Sequence, residues 1–201
     1  MYHYAGNNPV KYTDPDGRKI LILGDSDEDK QSLVDMINEY SYAKYKIADD
    51  GKTLVKDGNR TNGFFGVNKS KYYSERLDEA IKSENQITLL LSDIHFRPDG
   101  SIVPKISENH GGGVTSVVNG DNSKISVTVS PLGNDELSLI NKNGSITTEK
   151  ESPSEILVHE LVGHAIPRAT GCQGNAVDNE NIVRAQCKLK LRRSERNHKC
   201  F

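Results

Sequence analysis

The chain has no hydrophobic run long enough to span a bilayer, no large excess of either charge, no internal repeat and no low-complexity tract. The first absence excludes a membrane-spanning helix. The second, a formal net charge of -2, gives no overall bias toward nucleic acid as a partner. Cysteine is scarce and oddly placed: Cys172, Cys187 and Cys200 all fall near the C-terminal end, and three cannot pair completely within one chain. That pattern suggests synthesis in a reducing compartment. It leaves open a disulfide between two of them, or a second zinc site with His198, although the spacing matches no standard zinc finger. An apolar share of 34% and a mean hydropathy of -0.63 describe a polar chain. Its 201 residues suffice for one domain, with or without a short appendage. The polar residues after Met1 do not read as a cleavable secretion signal.

What is present reads as alternating short strands and amphipathic helices. Lys19 to Leu23 is a strand; Ser26 caps an acidic first turn, and Leu33, Val34, Ile37 and Tyr40 follow at helical spacing. A hairpin is expected over Asp49-Asp50-Gly51, then a turn at Asn62-Gly63-Phe64-Phe65-Gly66 whose phenylalanines read as core anchors. Tyr73, Leu77, Ala80 and Ile81 mark a second helix. Ile87 to Leu91, Val114 to Val118, Ile125 to Val129, Leu137 to Ile140 and Ser145 to Thr148 complete the strands, with turns at Pro98-Asp99-Gly100, Asn119-Gly120-Asp121 and Asn143-Gly144. The fold class is therefore α+β. His95 and His110 stand near loops, from which they could contact metal or substrate, but isolated loop histidines read first as surface residues. The glycines after His110 would let the backbone come close to something.

The chemistry concentrates between Ser152 and Arg184. Ser152, Pro153 and Glu155 form a capping box with proline in the first helical turn, so a helix should run through His159, Glu160 and His164. Two imidazoles and an adjacent carboxylate on one helix approximate the H-E-x-x-H arrangement in which the histidines bind zinc and Glu is the general base. Here the histidines are five apart, which on an ideal helix separates them by ~140° rather than the ~40° of a four-residue spacing. A single π-bulge at Gly163 would bring them back to one face, and such bulges occur mostly at functional sites.

His159-Glu160-Leu161-Val162-Gly163-His164 resembles the H-E-L-L-G-H motif of dipeptidyl peptidase III, a zinc peptidase family with this one-residue expansion. Glu180-Asn181-Ile182-Val183-Arg184 is similar in layout to that family's second, glutamate-bearing motif. The region also looks like the zinc-peptidase effectors that bacteria inject into host cells. The resemblance covers about thirty residues and implies a shared metal site, not a shared fold or substrate. It implies Zn2+ held by His159, His164 and Glu180, with Glu160 as catalytic base. Pro167, Gly171 and Gly174 would end the first helix, and Asp178-Asn179 would cap a second, bringing Glu180 back to complete the set. Asp178 is the competing carboxylate, and Arg184 would orient Glu180 or bind substrate. The expected fold is zincin-like, with an antiparallel or mixed sheet, an active-site helix and a second ligand-bearing helix.

Residues 1–17 resemble the end of the core of Rhs and YD-repeat proteins, whose Y-x-Y-A-x-N-N-P-x-x-Y-x-D-P-x-G signature they carry from Tyr2 to Gly17. The resemblance implies that residues 18–201 are a variable toxin domain following an Rhs/YD-repeat shell. The parent protein would be made in the bacterial cytoplasm and then secreted or delivered into a target cell. A target-cell protein substrate and a cognate immunity protein are implied as partners. The alternatives are an Rhs-linked nuclease or other toxin, and a non-catalytic zinc-binding module. The tail from Lys188 to Lys199 holds six basic residues and one acidic one; it reads as a basic helix end rather than a nucleic-acid surface.

Overall fold

Aliphatic runs at period two build the central sheet, and helices cover one of its faces. The computed structural model describes residues 20–59, 68–97, 100–118, 121–171, 174–193 and 198–200. The Rhs-like residues 1–17, the expected turn over 62–66, the tips of two further turns and Cys172 lie outside the described residues. In chain order the elements are β1 (Ile20–Leu23), α1 (Asp27–Tyr40), β2 (Ala43–Ile47), β3 (Leu54–Asn59), α2 (Lys71–Lys82), β4 (Gln86–Leu91), β5 (Ile94–Phe96) and β6 (Ile102–Pro104). Then come α3 (Ile106–Asn109), β7 (Gly113–Val118), β8 (Asp121–Val129), β9 (Asn134–Ile140), β10 (Ile146–Glu151) and α4 (Pro153–Val158). A π-helical segment (His159–Ala165) follows, then α5 (Ile166–Thr170), α6 (Ala176–Gln186) and β11 (Leu191–Arg192).

The main sheet has the order β1-β4-β8-β7. β1, β4 and β8 are parallel, while β7 runs antiparallel to β8 at the edge, with Thr115 opposite Val127. Ile20, Ile22, Ile87, Leu89, Ile125, Val127 and Val129 point to one face and are buried. They meet Leu33, Val34 and Ile37 of α1, Leu77 and Ala80 of α2, Ile156 of α4, Leu161 and Val162 of the π-helical segment and Ile166 of α5. A second sheet, β10-β9-β11, is antiparallel. No helix among the described residues is long and apolar enough to cross a membrane. The mixture of helix and sheet is α+β.

Three local expectations change. The basic tail does not extend a helix: α6 stops at Gln186, and Leu191–Arg192 forms a short strand on β9. Pro167 does not end the preceding helix. It follows the widened π-helical turn, where the Val162 carbonyl accepts from the Asn179 side chain instead of a backbone N–H, and the chain stays helical until Gly171 takes φ 73°. The cap of the next helix is Asn175 rather than Asp178-Asn179, its side chain accepting from the N–H groups of Val177 and Asp178.

Candidate metal centre

The segment that carries the motif begins with its cap. Ser152 Oγ accepts from Glu155 N, and Glu155 Oε2 accepts from Ser152 N at 3.0 Å, a reciprocal capping box that fixes where α4 starts. The other Glu155 oxygen lies 3.0 Å from Arg184 Nη2, so the cap is also tied to α6.

From His159 to Ala165 the backbone is π-helical. Two features favour the wider register. Pro167 has no N–H to offer the carbonyls one turn back, and Asn179 Nδ2 of α6 donates to the Val162 carbonyl at 3.2 Å. Gly163 has a further role. A Cβ there would stand 3.0 Å from Ala176 Cβ, so glycine allows α6 to pack directly on the π segment.

The wider turn puts His159 and His164 side by side, with ring centroids 5.0 Å apart. The third group to arrive is His198. His159, His164 and His198 each offer one ring nitrogen, and these three atoms all lie within 4.8 Å of one another. His164 Nε2 and His198 Nε2 are 3.1 Å apart. Two imidazole nitrogens bound tetrahedrally to zinc at 2.0–2.1 Å stand about 3.3 Å apart, so this separation suits a shared cation.

The opposite nitrogens are already committed. His159 Nδ1–H donates to Glu180 Oε2 at 2.8 Å, and His164 Nδ1–H donates to the Cys200 carbonyl at 3.1 Å. Because both acceptors lack a proton to give, each ring is held in the tautomer that turns an Nε2 lone pair toward the common point. Three buried or half-buried imidazoles so arranged can hold a metal ion.

His198 reaches the site through the end of the chain. Ala176 N donates to its carbonyl at 2.9 Å, Lys199 bridges Asn175, and Cys200 N donates to the Gly174 carbonyl. The turn before α6 and residues 198–200 therefore hold each other. Cys187 is buried elsewhere, against the Tyr40 carbonyl, and Cys200 Sγ accepts from Asn179 Nδ2.

Glu180 lies behind His159 rather than among the converging nitrogens. It is fully buried and receives Arg184 Nη1 at 3.1 Å and Arg192 Nη1 at 3.3 Å in addition to the imidazole. Burial alone would raise its pKa, but the bond from His159 and the two guanidinium charges outweigh that and hold it below the usual carboxylate range. Burial pulls His159 down, yet Glu180 prevails and its pKa rises. For His164 burial dominates, and its pKa falls. The physical reason for the displacement of Glu180 is the pair of arginines: β11 delivers Arg192 and α6 delivers Arg184, and together they hold the carboxylate on the far side of His159. Asp178 is exposed and, among the described residues, is not in the group that could hold a metal ion.

Glu160 is buried and turned toward β7. Thr115 Oγ1 donates to its Oε2 at 2.6 Å. Gly113 makes the approach close, because a Cβ on it would fall 2.7 Å from both Glu160 Cγ and Oε1. The turn that sets up β7 uses Gly111 and Gly112 at φ 63° and 82°. A cleft of about 210 Å³ opens here, lined by His110, Gly113, Thr115, Glu160, His164 and Arg168. It opens Glu160 and His164 to solvent.

His95, expected at the surface, is only 2% exposed. It lies on β5, with Nδ1 2.9 Å from Thr128 Oγ1 and Nε2 3.2 Å from Ser116 Oγ. No protein-family model, curated protein or solved structure matches the chain.

Proposed function

We propose that the protein is a zinc-dependent endopeptidase of zincin-like layout, acting as the toxin domain of an Rhs/YD-repeat polypeptide. The observation that carries this reading is the π-helical turn that brings His159 and His164 to a common point with His198, while Glu160 on the same turn faces an open cleft. A closed structural zinc site has four protein ligands; three converging imidazoles with a carboxylate beside them leave a fourth position, as catalytic sites do. The Rhs-like signature in residues 2–17 supports delivery into a target cell and the need for an immunity protein.

His159, His164 and His198 would hold a zinc ion, which would supply Lewis-acid polarisation of the scissile carbonyl and acidify a water; Glu180 and the Cys200 carbonyl keep the first two rings in the tautomer that such binding needs. Glu160 takes the proton of the water as the water attacks, and returns it to the leaving amine. β7 pairs with β8 on one side only among the described residues. Its other edge suits an extended substrate strand lying over Glu160.

The test is hydrolysis of an unfolded protein by the zinc-loaded chain and by Glu160→Gln. Cleavage that is inhibited by a hydroxamate and lost in Glu160→Gln, with zinc content unchanged, is the expected result. Cleavage that survives the substitution contradicts the assignment of the base.

A further inference from the structure

We infer that Thr115 is a positioning residue for the general base, so that the strand which lies along the cleft also aims Glu160. The inference rests on the peptidase reading above and goes beyond the ligand set and the base.

Alternation along β7 sends Gly113 and Thr115 toward the π-helical segment, and Ser116 to the opposite face, where it meets His95. Glu160 is thus held at two points by one strand. Its Oε2 accepts the 2.6 Å bond from Thr115 Oγ1, and its Cγ and Oε1 rest against the bare Cα of Gly113. A hydroxyl that donates to one carboxylate oxygen, with the strand backbone packed beside the other, restrains how the group turns toward the cleft it lines. Gly112, at φ 82° with no room for a Cβ beside Ile156 and Gly133, anchors the start of the strand on α4. Gly112 O also accepts from Ser130 N at 2.7 Å, which ties the strand to the end of β8. The strand cannot shift without moving Glu160. An extended substrate pairing with β7 would therefore be placed in register with the oriented carboxylate, and binding and base alignment share one element.

The experiment compares Thr115→Val, Thr115→Ser and Gly113→Ala, each zinc-loaded, by steady-state hydrolysis of one peptide, thermal melting and zinc content. Valine keeps the shape of threonine and suits a strand, so folding should persist. Expected for Thr115→Val is a kcat lower by about 10–100-fold, the loss of one hydrogen bond to a charged group, with KM and zinc content near those of the wild type and a modest fall in melting temperature that leaves the protein folded at the assay temperature. Thr115→Ser should restore most of kcat. Gly113→Ala should lower kcat while keeping zinc, because the added methyl displaces Glu160. In a Glu160→Gln background Thr115→Val should have little further effect. Equal kcat in the wild type and Thr115→Val overturns the inference and leaves the peptidase reading standing. A zinc-loaded wild type that hydrolyses no peptide overturns both.

Discussion

Among the described residues histidine is buried in two regions, on opposite faces of one edge strand, and they differ in what the second ring nitrogen meets. On the outer face His95 spends both nitrogens on hydroxyls, Thr128 and Ser116. Nothing is left to bind a ligand, and the ring holds the β5–β6 hairpin to the sheet. On the helix face His159 and His164 each spend Nδ1 on an acceptor, and the freed nitrogens converge with His198. Burial of an imidazole is therefore not the signal of a site. The signal is a tautomer fixed from behind with the lone pair aimed at other donors.

That contrast can be broken most severely by removing one histidine from each region. His159→Ala should bring zinc content from about one per chain to background, whereas His95→Leu should keep zinc and lose about 1–3 kcal/mol of stability from the stranded Thr128 and Ser116 hydroxyls. Elemental analysis and denaturant melts separate the two outcomes. Next in size is the proposed base: on the peptidase reading Glu160→Gln should reduce kcat by about 10²–10⁴-fold with the metal retained. Glu180→Gln tests the group behind the ligand. It should weaken zinc affinity by about 10–100-fold without abolishing binding, measured by competition with a chromogenic chelator.

The smallest effect concerns Glu151, at the end of β10. It is buried, and its Oε1 has no hydrogen-bond partner and lies 3.9 Å from Arg184 Nη1. Burial, reinforced by the charge of Glu180, pushes its pKa up from 4.5 to about 7. A folded-state pKa above the unfolded one favours the protonated folded form. The stabilising contribution is therefore complete below pH 4.5 and is lost as pH rises through about 7. Glu151→Gln, which stays neutral, should raise stability by about 1–3 kcal/mol at pH 8 and change it little at pH 4. Thermal melts at the two pH values check this.

Much of the site could be read in the sequence because its signals are local. The capping box and proline at Ser152–Glu155 place the helix start. The five-residue histidine spacing demands a widened turn if both rings are to share a face, and a π-helical segment is present from His159 to Ala165. The strands of the main sheet follow from aliphatic runs. What escaped is non-local. His198 lies 34 residues beyond His164, after a helix and a strand, and reaches the site only because residues 198–200 pair with the turn at Gly174–Ala176. Its one sequence signal was a histidine among cysteines in the tail, which read as a separate site. Glu180 shows a different limit. Its place one helix after the motif was legible, but its facing was set by Arg184 and Arg192, and Arg192 arrives on a strand that the basic tail did not announce. His95 was misjudged because three residues of strand beside Pro98 and Gly100 read as loop.

Whether His198 is the third donor is read most directly from the zinc content of the purified protein beside its His198→Ala variant after dialysis against a weak chelator. The account predicts about one zinc per chain in the wild type and close to none in the variant. Equal zinc in both would contradict it and return Glu180 to the ligand set.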